Sequence, residues 1–309
     1  MTGMTRHVWV DGRTAPWPEP GGFLSHGMQR GALVFDVGAL RAGSRGPVLF
    51  RPREHIARFL RSASLVGLEL PWDQEQLLGG TLALARARPV ASALVRWSAF
   101  VPTLEPDVVP RRESRPQVVI AVIAPEDAYP GGTPPPPKSA VRVMVPADLR
   151  KAGPEVFPPQ AKVSASYLGP MLAKRRALAA GFDEVVLLDG RGNVAEAPTA
   201  NVFVVRGGEL WTPPTDRVLA GITRDTVLAI ARAEGVPARE EPFTATEMER
   251  ADEAFLVATS LPVLPVSSVN GKDLRGGAPG PLTARIQRAV AACERGELAA
   301  FGSWAVDVA

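Results

Sequence analysis

Gly181-Phe182-Asp183-Glu184-Val185-Val186-Leu187-Leu188-Asp189-Gly190-Arg191-Gly192-Asn193-Val194-Ala195-Glu196 leads, through Ala197-Pro198-Thr199-Ala200, into Asn201-Val202-Phe203-Val204-Val205. Gly181 stands where a helix running from about Ala165 to Ala180 would stop, because the residue after a helix C-cap favours the left-handed conformation that glycine adopts freely. Glu184 to Leu188 reads as a buried strand, Asp189 to Asn193 as turn chemistry, and Asn201 to Val205 as another strand. Gly207-Gly208 turns that strand back into Glu209-Leu210-Trp211. Beyond it, Gly221-Ile222-Thr223-Arg224-Asp225 opens a helix that reaches Glu234 and is closed by Gly235, and Glu253 to Ala258 is a strand ending at Thr259-Ser260. The pattern is a β-meander with helices laid on it.

Upstream the writing differs. His7-Val8-Trp9-Val10 is a strand that enters a turn at Asp11-Gly12. After Pro52 a helix carries Ile56, Phe59, Leu60, Ala63 and Val66 at helical spacing, with Arg51, His55, Arg58 and Ser62 on a more polar side. A second helix covers about Asp73 to Arg86, and Ala93 to Val101 and Gln117 to Ile123 read as strands. The run Pro130-Gly131-Gly132-Thr133-Pro134-Pro135-Pro136-Pro137 cannot continue a helix or donate to a ladder. We therefore expect a small N-terminal domain over 1–128, a proline-rich connector over 129–138, and a larger domain over 139–309, an α+β fold overall.

The chain has 309 residues, 46% hydrophobic and 22% charged, with 35 basic and 32 acidic side chains for a net charge of +3. Its charges are dispersed, so no nucleic-acid footprint is expected. A single cysteine, Cys293, excludes an internal disulfide framework or a thiolate metal cluster, and three histidines supply a metal site poorly. No signal-like segment or apolar run of about 18 residues occurs, so a cytoplasmic protein without a membrane partner is expected.

Lys162 lies among small residues in Gln160-Ala161-Lys162-Val163-Ser164-Ala165-Ser166-Tyr167. A desolvated lysine is a nucleophile toward aldehydes, although a loop lysine on the surface fits the same letters. Glu196 follows an apolar strand and needs a partner there, either a protonated ring nitrogen or an internal Arg or Lys. Gly221-Ile222-Thr223, with Thr223 near the N-cap, could seat an anion or simply begin a helix. Thr259-Ser260 adds hydroxyls, and Arg58 could supply a fixed charge to a phosphate.

Taken in order along the chain, these segments resemble the branched-chain aminotransferase family, the class IV transaminases. The segments from Phe50 to Ala63, Ala161-Lys162 with Tyr167, Gly181 through Asn201-Val202-Phe203, Gly221 to Asp225, and Ala251 to Thr259 all carry the likeness, which spans about Val8 to Gln287. The resemblance implies pyridoxal 5′-phosphate (PLP) as cofactor, the two-domain fold type IV that is like D-amino acid aminotransferase, and a homodimer. It implies that Lys162 holds the cofactor and moves the substrate proton, that Glu196 faces the ring nitrogen, and that Tyr167 bonds the phenolic oxygen. Arg58, Ile222, Thr223, Thr259 and Ser260 would hold the phosphate.

The family's Tyr-Gly-x-x-x-Phe-Glu-Gly run reads here Arg30-Gly31-Ala32-Leu33-Val34-Phe35-Asp36-Val37. Phe35 is kept, while Arg30, Asp36 and Val37 are changes, and Leu94 replaces a pocket tyrosine. Arg96 matches the family's reader of a distal carboxylate, Tyr129 a loop tyrosine over the substrate, and Leu261 a further pocket position. These changes are expected on the substrate side. The implied reaction is transamination of an apolar, branched-chain-like L-amino acid with 2-oxoglutarate. A D-amino acid or (R)-amine transaminase, or a lyase similar to aminodeoxychorismate lyase, shares the same lysine and fold.

Overall fold

The computed structural model describes residues 7–16, 22, 24–44, 46–129, 136 and 138–308. Apart from Pro16, Gly22 and Pro136, the loop at 16–22 and the proline-rich stretch at 130–137 lie outside the described residues. The chain divides into two compact units. One gathers the described residues of Met1–Pro135, Ala161–Ala165 and Cys293–Ala309, and the other those of Pro136–Gln160 and Ser166–Ala292.

The first unit is built on a seven-stranded sheet in the order Ala305–Asp307, Gly46–Phe50, Val34–Gly43, Ala93–Phe100, Gln117–Ile123, His7–Val10, Arg13–Pro16, with every neighbouring pair antiparallel. Ala93–Phe100 alternates buried and half-buried residues along its length, as a strand with one covered face should. Val34–Gly43 has buried residues on both faces. The helix Pro52–Leu65 packs on this strand, and the helix Gln74–Ala87 lies beside it, started by a capping box in which Asp73 and Gln76 satisfy each other's backbone N–H. The polar side of Pro52–Leu65 is not a solvent face: His55, Arg58 and Ser62 are all buried. His55 and Arg58 meet the Asp36 carboxylate on the strand beneath, and Ser62 accepts from the Lys162 N–H.

The second unit holds an eight-stranded sheet, in the order Ala238–Glu240, Glu209–Thr212, Asn201–Arg206, Glu253–Val257, Leu264–Val269, Val141–Met144, Glu184–Val185, with Lys272–Asp273 paired to Leu264–Val269. Val143, Val186, Val202, Phe243 and Val266 are among its core residues. The strand expected to reach Leu188 is ladder-paired only at Glu184–Val185. Beyond it the chain changes partners, with Val186 N–H on Met144 O at 2.9 Å and Leu187 N–H on Glu196 O at 3.0 Å. The helix expected from Ala165 is in fact a 3₁₀ turn, Ser164–Tyr167, followed by an α-helix, Leu168–Ala179. Gly221 caps the helix Ile222–Ala233, and Thr223, its second residue, stands near the N-cap as expected.

Candidate active site

In the first unit the lysine segment lies alongside Gly31–Phe35. Ala165 N–H donates to Gly31 O at 3.1 Å, Ser164 N–H to Leu33 O at 2.9 Å, and Phe35 N–H to Lys162 O at 3.0 Å. Lys162 N–H donates to the buried Ser62 hydroxyl at 3.1 Å, which ties the segment to the Pro52–Leu65 helix. The half-buried Lys162 Nζ is 4.9 Å from the centroid of the Phe35 ring, and the Arg96 guanidinium carbon is 4.2 Å from the same centroid. An aromatic face attracts cations, so one ring steadies both heads.

Strand register explains which substituted residues meet. Phe35 pairs with Ser98, Val37 with Arg96 and Ala39 with Leu94, so these side chains share one face of the sheet. Asp36 points the other way and does not belong to the substrate side, because successive strand residues face opposite sides. Fully buried, it accepts from Arg58 Nε at 2.7 Å, Arg58 Nη2 at 2.8 Å and, through Oδ1 at 2.8 Å, from His55 Nδ1. Burial alone would raise the Asp36 carboxyl, but the Arg58 guanidinium and the His55 hydrogen bond hold it well below the usual carboxylate range. Burial likewise pushes the His55 imidazole down, against the pull of Asp36. Arg30 is exposed and lines a shallow cleft with Leu24, His26, Gln29, Leu104 and Glu105. Tyr129 is exposed too, after the short helix Pro125–Ala128.

In the second unit Glu196 sits at the centre of a cage of donors. Its Oε2 accepts from Leu219 N–H at 3.0 Å and from Asn201 Nδ2 at 3.3 Å, and its Oε1 pairs with the Lys151 ammonium. Asn201 also donates to Leu219 O at 3.0 Å. The loop before the Ile222–Ala233 helix is fastened from the other side by Gln160, which accepts from Ala220 N–H at 3.2 Å and donates to Val218 O at 3.1 Å. Gly221 has to be glycine, since a Cβ there would collide with Asn201 Oδ1. The helix then starts with Ile222 and Thr223 buried and no side chain capping it at Gly221. Tyr167 ends the 3₁₀ turn; Thr259 is half-buried in the turn after Glu253–Val257, where Ala258 N–H donates to Leu261 O at 3.2 Å, with Ser260 and Leu261 exposed.

Asp36, His55, Ser62 and Lys151 contact the candidate residues Arg58, Lys162 and Glu196, and the sequence reading did not assign them to the site. For Asp36 and His55 the polar helix side and the acid were legible separately, with nothing in the local spacing to pair them. For Lys151 there was no signal, because its partner lies far along the chain.

Comparison with known proteins gives a consistent picture. The profile of the amino-transferase class IV family matches residues 34–269. The branched-chain-amino-acid aminotransferase of Escherichia coli K12 is 31% identical over 300 residues, covering 96% of each chain. The crystal structure of branched-chain aminotransferase from the archaeon Thermoproteus uzoniensis with norvaline superposes with a TM-score of 0.89 at 30% identity, covering 99% of this chain and 100% of that one. The branched-chain amino acid aminotransferase from Thermobaculum terrenum, solved in its PLP-bound holo-form, has a TM-score of 0.88 at 25% identity, covering 99% of each chain.

Proposed function

The chain belongs to the class IV aminotransferases, PLP enzymes of fold type IV, and from that premise we propose that its substrates are an apolar, branched-chain-like L-amino acid and 2-oxoglutarate. The residues present fit the cofactor's chemistry. Lys162 offers an amine held against an aromatic ring, Glu196 an acceptor-only carboxylate for a ring N–H, and the Gly221 helix start, with Thr223 and Ile222, backbone donors for a phosphate. PLP, when bound, supplies the electron sink that loosens the Cα–H bond of an amino acid.

The chain's own residues do the rest. Lys162 Nζ would take the proton from the substrate Cα and carry it to the cofactor's C4′ carbon, as a general base and then a general acid. Glu196 would accept from the ring nitrogen, Tyr167 would donate to the phenolic oxygen, and Arg58, Ile222, Thr223, Thr259 and Ser260 would hold the phosphate. Phe35, Leu94 and Arg96 form the substrate wall, on which Leu94 and Phe35 take an apolar side chain and Arg96 a distal carboxylate. Tyr129, Leu261 and Arg30 are the further substrate residues of this reading. We assign a homodimer as the working form, a reading supported by the exposed apolar side chains Leu24, Met28, Leu104, Val108 and Val109 of the first unit.

The observation that carries this reading is the Lys162 ammonium against Phe35, on the same ring as Arg96. Reduction of the loaded protein with borohydride should fix the label on Lys162, and Lys162→Ala should remove it while the fold persists. A label on any other lysine would overturn the assignment. Turnover of leucine should stop when 2-oxoglutarate is omitted.

A further inference from the structure

Lys151 and Glu196 form an ion pair inside the second unit in which each side chain is about one-sixth exposed, at 15% and 16%. Two backbone contacts fix Lys151 rather than leaving it to sample. Its N–H donates to Leu188 O at 2.8 Å, and Arg150 beside it bridges to Leu188 in parallel. Leu188 in turn bridges to Val194, and Leu187 exchanges backbone hydrogen bonds with the Ala195–Glu196 segment, 2.8 Å from Ala195 N–H and 3.0 Å to Glu196 O. Three short runs of chain are thereby held side by side, one bearing the ammonium and another the carboxylate.

We infer that Lys151 is a positioning residue that sets, through Glu196, how firmly the cofactor's ring nitrogen holds its proton; the inference rests on the assignment of Glu196 to that nitrogen. A carboxylate opposite a pyridine nitrogen favours the protonated ring, and its full charge would favour it most. Here the ammonium takes part of that charge, and as a second cation it opposes protonation of the ring directly. Partial burial keeps the effect from being screened away. Asn201 Nδ2 and Leu219 N–H hold the other carboxylate oxygen. Loss of Lys151 therefore leaves Glu196 in place with its charge uncompensated, so charge and position are separable.

The test loads the apoprotein with PLP carrying ¹⁵N at the ring nitrogen and follows its chemical shift against pH. Lys151→Met and Lys151→Gln should each move the ring-nitrogen midpoint upward by about one unit, a tenfold gain in proton affinity, and Lys151→Arg should stay with the wild type. Glu196→Gln should move the midpoint downward. Should Lys151→Met fail to fold, Lys151→Gln carries the test, because it keeps a hydrogen-bond donor and loses only the charge. A wild-type midpoint in Lys151→Gln, with Glu196→Gln still lowering it, would overturn the inference and leave Lys151 a plain hydrogen-bond donor. A midpoint unmoved in Glu196→Gln would instead remove the assignment of Glu196, and the inference with it.

Discussion

Phe35 and Asp36 are adjacent in sequence and serve opposite sides of one strand. Phe35 steadies Lys162 and Arg96, while Asp36 grips Arg58 from the helix side. Arg58 therefore has a structural duty, and its removal strands a fully buried carboxylate. Arg58→Ala should cost about 3–5 kcal/mol of stability, seen as a lower urea midpoint, and the double variant with Asp36→Ala should recover much of the loss. If the two losses instead add, the pair is not coupled. Phosphate affinity is better read from Thr259→Ala, which should weaken PLP binding about fivefold to tenfold, near the net worth of an ordinary hydrogen bond at about 1 kcal/mol. The same cluster predicts a pH dependence. Both Asp36 and His55 titrate lower in the fold than in the unfolded chain. Each contributes stability that is complete above its unfolded value and lost as pH falls. The urea midpoint should thus decline from about pH 6.5 downward on account of His55, and further below about pH 4 on account of Asp36. His55→Asn should flatten the first part, and a midpoint constant from pH 7.5 to 5 would contradict the assignment.

Among the elements, those with one covered face were legible: Ala93–Phe100 and Gln117–Ile123 announce themselves by alternation or β-branched runs, and Gln74–Ala87 by its Asp73 cap. Val34–Gly43 was not, because a strand buried on both faces carries no alternation to read. The Pro52–Leu65 helix was legible as a helix but not in its orientation. Its polar side is buried only because a distant acid meets it, and such pairing leaves no local spacing. On the candidate site, Lys162 and Glu196 could be singled out from sequence, but their partners Ser62, Lys151 and Asn201 become visible only in three dimensions. Gly221 is the sharpest test at this scale. Gly221→Ala drives a methyl into Asn201, so either the start of the Ile222–Ala233 helix or the Glu196 cage must shift. Overpacking of this kind costs about 1–3 kcal/mol, and PLP affinity should fall at least tenfold with it. Titration of the apoprotein with PLP, beside its melting temperature, measures both.

Over the whole molecule, the first unit is assembled from pieces that are far apart in the chain. Ala305–Asp307 pairs with Gly46–Phe50, Val308 N–H donates to Pro47 O at 3.1 Å, and Arg86 Nε donates to Val308 O at 2.6 Å. Trp304 accepts at its carbonyl from Arg51 N–H at 2.7 Å and lies 4.1 Å beneath the Arg51 guanidinium, which helps hold Arg51 at φ 48°, where the Pro52–Leu65 helix begins. Removing residues 304–309 should therefore lower the urea midpoint and also weaken PLP retention, since the helix bearing Arg58 loses the clamp at its start. A truncated protein with unchanged cofactor affinity would show the clamp to be dispensable. The same arrangement has a consequence in time. On a ribosome adding about 5–20 residues per second, Gly46–Phe50 emerges tens of seconds before the strand that will cover it. Throughout that interval the nascent chain carries a bare sheet edge able to pair with another copy, so shelter for that edge until Ala305–Asp307 arrives has a physical purpose.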